Sequence, residues 1–255
     1  MRLGCAAYSY RDLLKSGEMS LEQFVDTCAE MKLDGVELTS YYFSTTDRAY
    51  LNDLKRYCFR KGMHILATAV GSNFTLPDAD KRREWVETTK AWIAHSEVLG
   101  APCIRIFAGP IPKEVPEETA FGWALECIEE CLALGAERGV ALALENHGGV
   151  TETAQQVQKF LDRIDSPWFG LNLDFGNFRN DPYAEFDLCA PHTVTTHAKR
   201  TMHAGEGRVS VDYAKVAEIM RRNDYAGYIS IEYEDAEDPH TAVPAFVEYL
   251  KQCVR

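Results

Sequence analysis

Four apolar stretches of the chain each end on a residue of a type that binds metal ions. They are Ala141–Glu145, Gly170–Asp174, Thr193–His197 and Ile229–Glu232, and they follow one another along the sequence. Each has the composition of a short buried strand, and parallel barrels place their active sites at the carboxyl ends of their strands. Such a barrel would direct Glu145, Asp174, His197 and Glu232 at one point. The pattern therefore predicts a divalent-metal site.

The alternation of side chains along these stretches supports the same interpretation. Successive side chains point to opposite faces of a strand, so each candidate ligand shares its face with the residue two positions earlier. Those residues are small or polar: Ala143, Asn172, Thr195 and Ser230. The opposite faces carry Leu142, Leu144, Leu171, Leu173, Val194, Ile229 and Ile231. We expect the ligand face to look into a barrel lumen, although any one acid alone would fit a solvent-facing strand end or a helix cap.

Strand and helix patterns alternate along the whole chain. Strands are expected at about 2–8, 34–39, 63–70, 102–108, 140–146, 168–174, 192–198 and 227–233. Helices are expected at roughly 20–32, 47–60, 80–99, 116–138, 152–164, 212–223 and 241–252, with one or two turns at about 182–190. Eight alternations without a long polar linker predict a single α/β domain over residues 1–255, a (β/α)8 TIM barrel. An open doubly wound sheet is the alternative, but no Gly-x-Gly-x-x-Gly loop opens a helix.

Composition limits the partners and the location of the protein. The formal net charge of −12 opposes binding to nucleic acid or to an anionic membrane surface. The cysteines include no Cys-x-x-Cys pair, and the chain has neither a signal-peptide pattern nor an apolar run long enough to cross a bilayer. We therefore expect a reduced, cytoplasmic protein. A homo-oligomer stays open, since no surface stripe establishes an interface.

Three carboxylates and one imidazole form a hard ligand set. Mn²⁺ suits it best, and Mg²⁺, Co²⁺, Fe²⁺ or Zn²⁺ are alternatives. A metal held in this way acts as a Lewis acid on a hydroxy-ketone and stabilises the enediolate that forms when an adjacent proton leaves. Glu145 and Glu232 would flank the substrate from different strands, so that one takes a proton and the other returns one.

Several motifs resemble the sugar phosphate isomerase/epimerase superfamily, the xylose-isomerase-like barrels that include ketose 3-epimerases and inosose dehydratases. The motifs are Leu144–His147, Leu173–Phe178, Thr196–Lys199, Gly205–Arg208 and Tyr228–Tyr233. The resemblance implies a TIM barrel, a Mn²⁺-like metal bound by Glu145, Asp174, His197 and Glu232, and a small sugar or cyclitol as substrate. It also implies that the two glutamates exchange protons with the substrate and that Arg208 binds the substrate.

The chain departs from this family pattern at one informative position. The epimerases carry a histidine three residues after the aspartate, where this chain has Asn177, which can bond a hydroxyl but cannot shuttle a proton. Further candidates for substrate binding lie near the same rim. They are Lys199, which shares its face with His197; His147, two residues after Glu145; Glu206, in a glycine-flanked loop; and Glu37, at the end of the second strand, which would fit a salt bridge equally well.

The leading functional interpretation is a metal-dependent isomerase or epimerase of a carbohydrate or cyclitol. A metal-dependent lyase or dehydratase acting on a keto-sugar or keto-glycoside is the first alternative, because the same enediolate can expel a leaving group. An endonuclease IV-like repair enzyme is a distant alternative. It is opposed by the negative charge and by the sequence Leu173-Asp-Phe-Gly-Asn177 where those enzymes carry a Leu-Asp-Thr-Cys-His type motif.

Overall fold

The computed structural model describes residues 1–254 and contains a closed barrel of parallel strands. The barrel strands are β1 (Arg2–Ala6), β2 (Gly35–Thr39), β3 (His64–Ala69), β4 (Cys103–Ile106), β5 (Ala141–Glu145), β6 (Phe169–Asp174), β7 (Thr193–Ala198) and β10 (Tyr228–Ile231). Neighbours in this series pair in parallel, and β10 pairs with β1 to close the barrel. The TIM-barrel prediction is confirmed.

Helices surround the barrel and follow the predicted alternation. They are α1 (Arg11–Ser16), α2 (Leu21–Glu30), α3 (Arg48–Arg60), α4 (Ala79–Leu99), α5 (Glu117–Arg138), α6 (Ala154–Arg163), α7 (Pro182–Cys189), α8 (Tyr213–Arg222) and α9 (Pro239–Val254). Local sequence fixes several starts. Before α2, for example, Ser20 accepts a hydrogen bond from the Gln23 amide while the Gln23 side chain accepts one from the Ser20 amide, which satisfies two amides that lack helical partners.

The two faces of the barrel strands have different environments. Leu142, Leu144, Leu173, Ile229 and Ile231 are fully buried within the main hydrophobic core. The alternate residues of these strands line the lumen, where polar side chains such as Asn172, Thr195 and Ser230 are also buried. Apolar burial against the helices thus stabilises the strands from outside, and the lumen is free to hold polar groups.

Strand register sets the ligand-bearing ends at nearly the same height. Asp174 pairs with His197 across the β6–β7 ladder, and His197 pairs with Ser230 on β10. Glu145 is opposite Asn172, two residues before Asp174. Since residues two apart share a strand face, these registers direct the four candidate side chains into one end of the lumen.

Two elements differ from the sequence-based expectation. A hairpin of β8 (Thr201–Ala204) and β9 (Gly207–Ser210) occupies the segment predicted as a rim loop. The first strand ends at Ala6 rather than at about residue 8, because a 3-10 turn over Ala7–Tyr10 begins there and leads into helix α1. Helix α7 has eight residues, which is about two turns, and it agrees with the expectation for this segment; Pro182 in its first turn and the Asp181 side chain, which caps it, stabilise its start.

Two further observations concern the cysteines and the helices of the chain. Each of the eight cysteines is a free thiol, and seven of them are buried, as is typical of cysteines that pack as small apolar residues. Within residues 1–254 no helix combines the length and the apolar character that a membrane crossing requires.

Candidate metal centre

Four barrel strands bring the predicted ligands to one point. Glu145 and Asp174 are the last residues of β5 and β6, His197 lies next to the end of β7, and Glu232 directly follows β10. One ligand atom from each residue lies within 4.8 Å of the others, and all four side chains are buried. The predicted grouping of two glutamates, one aspartate and one histidine is therefore present at the carboxyl end of the barrel.

The polar atoms at this point fit a divalent cation. Oδ2 of Asp174 and Nδ1 of His197 are buried and make no hydrogen bond of good geometry, although charged groups lie close to both. Nδ1 lies 3.3 Å from Oε2 of Glu145, 3.3 Å from Oε2 of Glu232 and 3.9 Å from Oδ2 of Asp174. Buried polar atoms of folded proteins nearly always have partners, and converging oxygens with one imidazole nitrogen suit a cation such as Mn²⁺ or Zn²⁺.

Two basic side chains partly neutralise the clustered acids. Nζ of Lys199 lies 3.2 Å from Oδ2 of Asp174, 3.3 Å from Oε2 of Glu232 and 2.7 Å from Oε2 of Glu234. Nε of Arg105, on β4, lies 3.3 Å from Oε2 of Glu145. Both bases are buried, so Lys199 is not a solvated lysine at the rim.

Burial and charge act in opposite directions on the acids and bases of the centre. Burial alone raises the pKa of Glu232, but His197 and Lys199 outweigh it and hold that pKa well below its usual range. For Glu145, burial also raises the pKa, but the positive charges of His197 and Arg105 outweigh it, so the pKa is lowered. Burial raises the pKa of Asp174 to about 7. Burial lowers the pKa of His197, but the carboxylates of Glu232, Glu37 and Glu145 together hold it well above the usual value.

Side-chain amides fix the carboxylate of Glu145. Asn172 donates to Oε2 over 3.0 Å, and Asn177 donates to Oε1 over 3.4 Å. Asn146 binds the neighbouring strand instead, since it accepts from the Asp174 amide over 2.8 Å and donates to the Asp174 carbonyl over 3.0 Å. The structure thus places Asn177 beside a proposed ligand, where it orients one carboxylate oxygen.

Glu37 contacts the candidate histidine. It lies on β2, it is fully buried, and both of its carboxylate oxygens are 3.0 Å from Nε2 of His197. Glu37 thus pairs with His197, which is the kind of salt bridge that its sequence position allowed.

A cavity of about 180 Å³ opens beside the centre. Its lining combines aromatic rings, both candidate glutamates and further polar groups: Tyr8, Tyr41, Arg105, Phe107, Glu145, His147, Glu232 and Glu234. The His147 ring lies against the Phe107 ring, with 4.3 Å between the centroids. The predicted site residue His147 is therefore at the mouth, next to the two glutamates.

The two remaining candidates lie on the β8–β9 hairpin. Arg208 is exposed, and its guanidinium donates to the Thr201 hydroxyl over 2.9 Å and to the Thr201 carbonyl over 2.8 Å. Glu206 is exposed in the turn between the two strands. In this conformation neither side chain lines the cavity beside the metal centre.

Sequence reasoning missed Arg105 and the aromatic wall. A signal was present for Arg105, because it interrupts the apolar strand Cys103–Ile106 with a charge that must find a buried partner. Tyr8, Tyr41 and Phe107 gave no such signal, since aromatic residues near strand ends are common in cores. Only the closed barrel shows that these rings border the same cavity.

Comparison with solved structures finds barrels with the same fold. The chain is similar to D-psicose 3-epimerase from Clostridium cellulolyticum H10 (16% identity, 100% of each chain covered, TM-score 0.77). It is also similar to the IOLI protein with a bound zinc atom (16% identity, 99% of this chain and 96% of that one, TM-score 0.80). A third is the probable 3-DHS dehydratase AsbF from Bacillus anthracis (18% identity, 99% and 98%, TM-score 0.72). At these identities the likeness establishes the fold alone.

Sequence-level comparison establishes the family. No curated protein sequence matches the chain significantly. The profile of the family described as "Xylose isomerase-like TIM barrel" matches residues 25–253, which is nearly the whole chain and includes every strand that carries a candidate ligand. The chain belongs to the xylose isomerase-like TIM barrel family.

Proposed function

We propose that the protein is a divalent-metal-dependent isomerase or epimerase of a carbohydrate or cyclitol. The observation that carries the proposal is that Glu145 and Glu232 belong to the candidate metal centre and also line the adjoining cavity. The carboxylates of Glu145 and Glu232 would then contact a substrate in that cavity at two different positions. This is the arrangement that a proton transfer at carbon requires.

Both glutamates have the protonation state that a proton acceptor needs. The pKa of each is held below its usual range, Glu145 by His197 and Arg105 and Glu232 by His197 and Lys199, against the effect of burial. Each is therefore a carboxylate at neutral pH and can accept a proton from a carbon next to a carbonyl. The electron pair of the broken C–H bond moves toward the carbonyl oxygen, giving an enediolate. The glutamic acid formed in this step can return its proton to the neighbouring carbon, which isomerises the substrate. Epimerisation needs the other glutamate to take up a proton from solvent and deliver it to the opposite face.

The proposed cofactor is one divalent metal ion. Glu145, Asp174, His197 and Glu232 would hold it, and it would supply Lewis-acid polarisation of the substrate carbonyl. Mn²⁺ is the proposed ion because the ligands are mostly oxygens, and Zn²⁺ is the alternative suggested by the IOLI structure.

Substrate contacts are proposed for the residues around the cavity. His147 and the aromatic rings of the wall supply hydrogen bonding and apolar contact, and Lys199 places an ammonium group beside the reacting centre. Arg208, Glu206 and Asn177 are proposed as further contacts, Arg208 after a movement of its hairpin. The Arg208→Ala variant should then raise KM and leave metal affinity unchanged, whereas unchanged kinetics would remove Arg208 from the site.

A lyase or dehydratase acting on a keto-sugar is the alternative. Asn177 favours it, because the epimerases carry a histidine at the matching position, and an amide cannot shuttle a proton as an imidazole can. The similarity to a probable 3-DHS dehydratase points the same way. The enediolate would then expel a group from the next carbon instead of recovering a proton.

Solvent exchange followed by mass spectrometry separates these reactions. The Mn²⁺-loaded protein is incubated in D₂O with ketoses, inososes and keto-glycosides. Deuterium in a product of otherwise unchanged composition indicates an isomerase or epimerase, and loss of one water indicates the dehydratase. No exchange with any of these substrates would contradict both.

Variants of the two glutamates test their roles. Glu145→Gln and Glu232→Gln should each abolish the exchange, and their metal content is measured because both are also proposed ligands. Glu185→Gln is the matched control: Glu185 is another buried glutamate, outside the cavity, whose Oε1 accepts from the Ala154 amide over 3.0 Å. It should keep the exchange.

A further inference from the structure

Glu37 joins two distant parts of the chain at the centre of the barrel. Its two oxygens lie 3.0 Å from Nε2 of His197, a residue 160 positions later in the sequence. Both side chains are buried and have at most 1% of their surface exposed. A carboxylate in this position accepts a hydrogen bond, so a proton must be on Nε2.

The other ring nitrogen has a different environment. Nδ1 of His197 faces the oxygens of Glu145, Glu232 and Asp174 at 3.3–3.9 Å and makes no hydrogen bond. An imidazole binds a metal through an unprotonated nitrogen, and the partner of the other nitrogen selects which one is unprotonated. The contact with Glu37 therefore determines which nitrogen can bind.

We infer that Glu37 is a positioning residue for the metal centre: it holds the Nε2 proton of His197 and so directs the Nδ1 lone pair at the ion. This inference rests on the proposed metal-dependent function. Glu37 is fully buried behind the ligand that it orients, and the lining of the cavity does not include it. Its role is thus distinct from the substrate contact predicted from the sequence.

The negative charge of Glu37 also raises the basicity of the imidazole. Loss of such an outer partner weakens metal affinity by about 10–100-fold in proteins where it has been removed. Glu37→Gln keeps the size of the side chain but removes the charge, and its amide can donate to Nε2 and favour the wrong tautomer. We expect a dissociation constant for Mn²⁺ that is about 10–100 times larger.

Thr39 provides a matched control on the same strand. It lies two residues after Glu37, is equally buried, and its hydroxyl has no hydrogen-bond partner. Thr39→Val changes a polar lumen residue of β2 without touching His197. The Mn²⁺ affinity of this variant should equal that of the unmodified protein.

The experiment measures Mn²⁺ affinity by competition with a fluorescent chelator for the unmodified protein, Glu37→Gln, Glu37→Asp and Thr39→Val. Glu37→Asp keeps the charge and should recover part of the loss, and it remains informative if Glu37→Gln fails to fold. Proton–nitrogen NMR of the Zn²⁺-loaded protein, labelled at histidine, gives a second measurement. The unmodified protein should show a protected Nε2 proton and a metal-bound Nδ1.

The outcomes separate this inference from the proposed function. Equal affinity in the unmodified protein and both Glu37 variants, or a metal-bound Nε2 in the NMR spectrum, overturns the positioning role and leaves the proposed metal-dependent reaction standing. An unmodified protein that binds no divalent ion refutes the proposed function itself. An equal loss of affinity in Thr39→Val would show a general disturbance of β2 and also overturn the inference.

Discussion

Replacing Arg105 by methionine should destabilise the metal-free protein strongly and the metal-loaded protein less. The centre contains the buried carboxylates of Glu37, Glu145, Asp174 and Glu232. Their basic neighbours are Arg105, Lys199 and His197. Methionine keeps part of the apolar stem, so the main change is the loss of one positive charge from a crowded group of acids.

The distances give the size of the expected effect. Nε of Arg105 is 3.3 Å from Oε2 of Glu145, and at an effective dielectric constant of about 20 such a pair interacts by about 5 kcal/mol. Removing one partner of a buried ion pair typically costs about 3–5 kcal/mol. For a chain of this size this corresponds to a fall in Tm of about 6–20 °C.

Metal binding should recover part of this loss. A divalent ion places positive charge beside the same carboxylates. In Arg105→Met these acids lack the charge of Arg105, so the ion should stabilise the variant more than it stabilises the unmodified protein. By linkage, the Arg105→Met protein should bind Mn²⁺ more tightly than the unmodified protein. The sign of this change in affinity separates charge compensation from a simple packing defect.

Thermal unfolding with and without Mn²⁺, followed by calorimetry, measures both effects. Arg138→Met is the control, because Arg138 forms an exposed pair with Glu97 over 2.9 Å and such pairs contribute little. Its Tm should not change measurably. A similar absence of change in Arg105→Met, or a weaker Mn²⁺ affinity of that variant, would refute the reasoning.

Three further predictions follow from the same region. Mn²⁺ affinity should rise as the pH increases through about 7, because ion binding must release protons. Burial raises the pKa of Asp174 to about 7, and the carboxylates around buried His197 hold its pKa well above the usual value. Calorimetry in buffers of different protonation enthalpy that finds no proton release would contradict this. Mn²⁺ at about 100 times its dissociation constant should stabilise the protein by about 2.7 kcal/mol and raise Tm by about 5–10 °C. Asp174→Asn should lose that increase, and an equal increase in both proteins would exclude Asp174 as a ligand. Gly176→Ala should cost about 1–3 kcal/mol in denaturant unfolding, since the new methyl group would lie 2.8 Å from Cδ of Lys199; Gly122→Ala, with no atom within 4 Å, should show no such loss.

The sequence carried enough information for the barrel and the grouping of its acids because both depend on local rules. Alternation along β5, β6 and β7 fixes which side chains face the lumen, and the parallel pairing brings the strand ends to one side. The grouping of Glu145, Asp174 and His197 could therefore be predicted without knowledge of distant contacts. The same holds for α2, whose start is encoded by Ser20 and Gln23.

The features that the sequence did not reveal depend on contacts between distant elements. The alternation of β2 directs Glu37 into the lumen, but only the closed barrel shows that His197 lies opposite. The β8–β9 hairpin was missed because its second strand is exposed throughout and has no apolar alternation. Nothing local indicates the three acidic neighbours of Lys199, since a lysine just after a strand end fits a solvated rim equally well.

The contact between Glu37 and His197 has a consequence for the order of events during synthesis. Strands β2 and β7 are not adjacent; β1 and β10 lie between them on the closing side of the barrel. The ribosome must therefore release residues 228–231, and β10 must pair with β1, before the imidazole acquires its final orientation. Under the proposed function, binding of the metal ion by the complete ligand set then comes after barrel closure. The nascent chain must reach its native topology with Arg105, Lys199 and His197 as the basic groups among the acids of this centre.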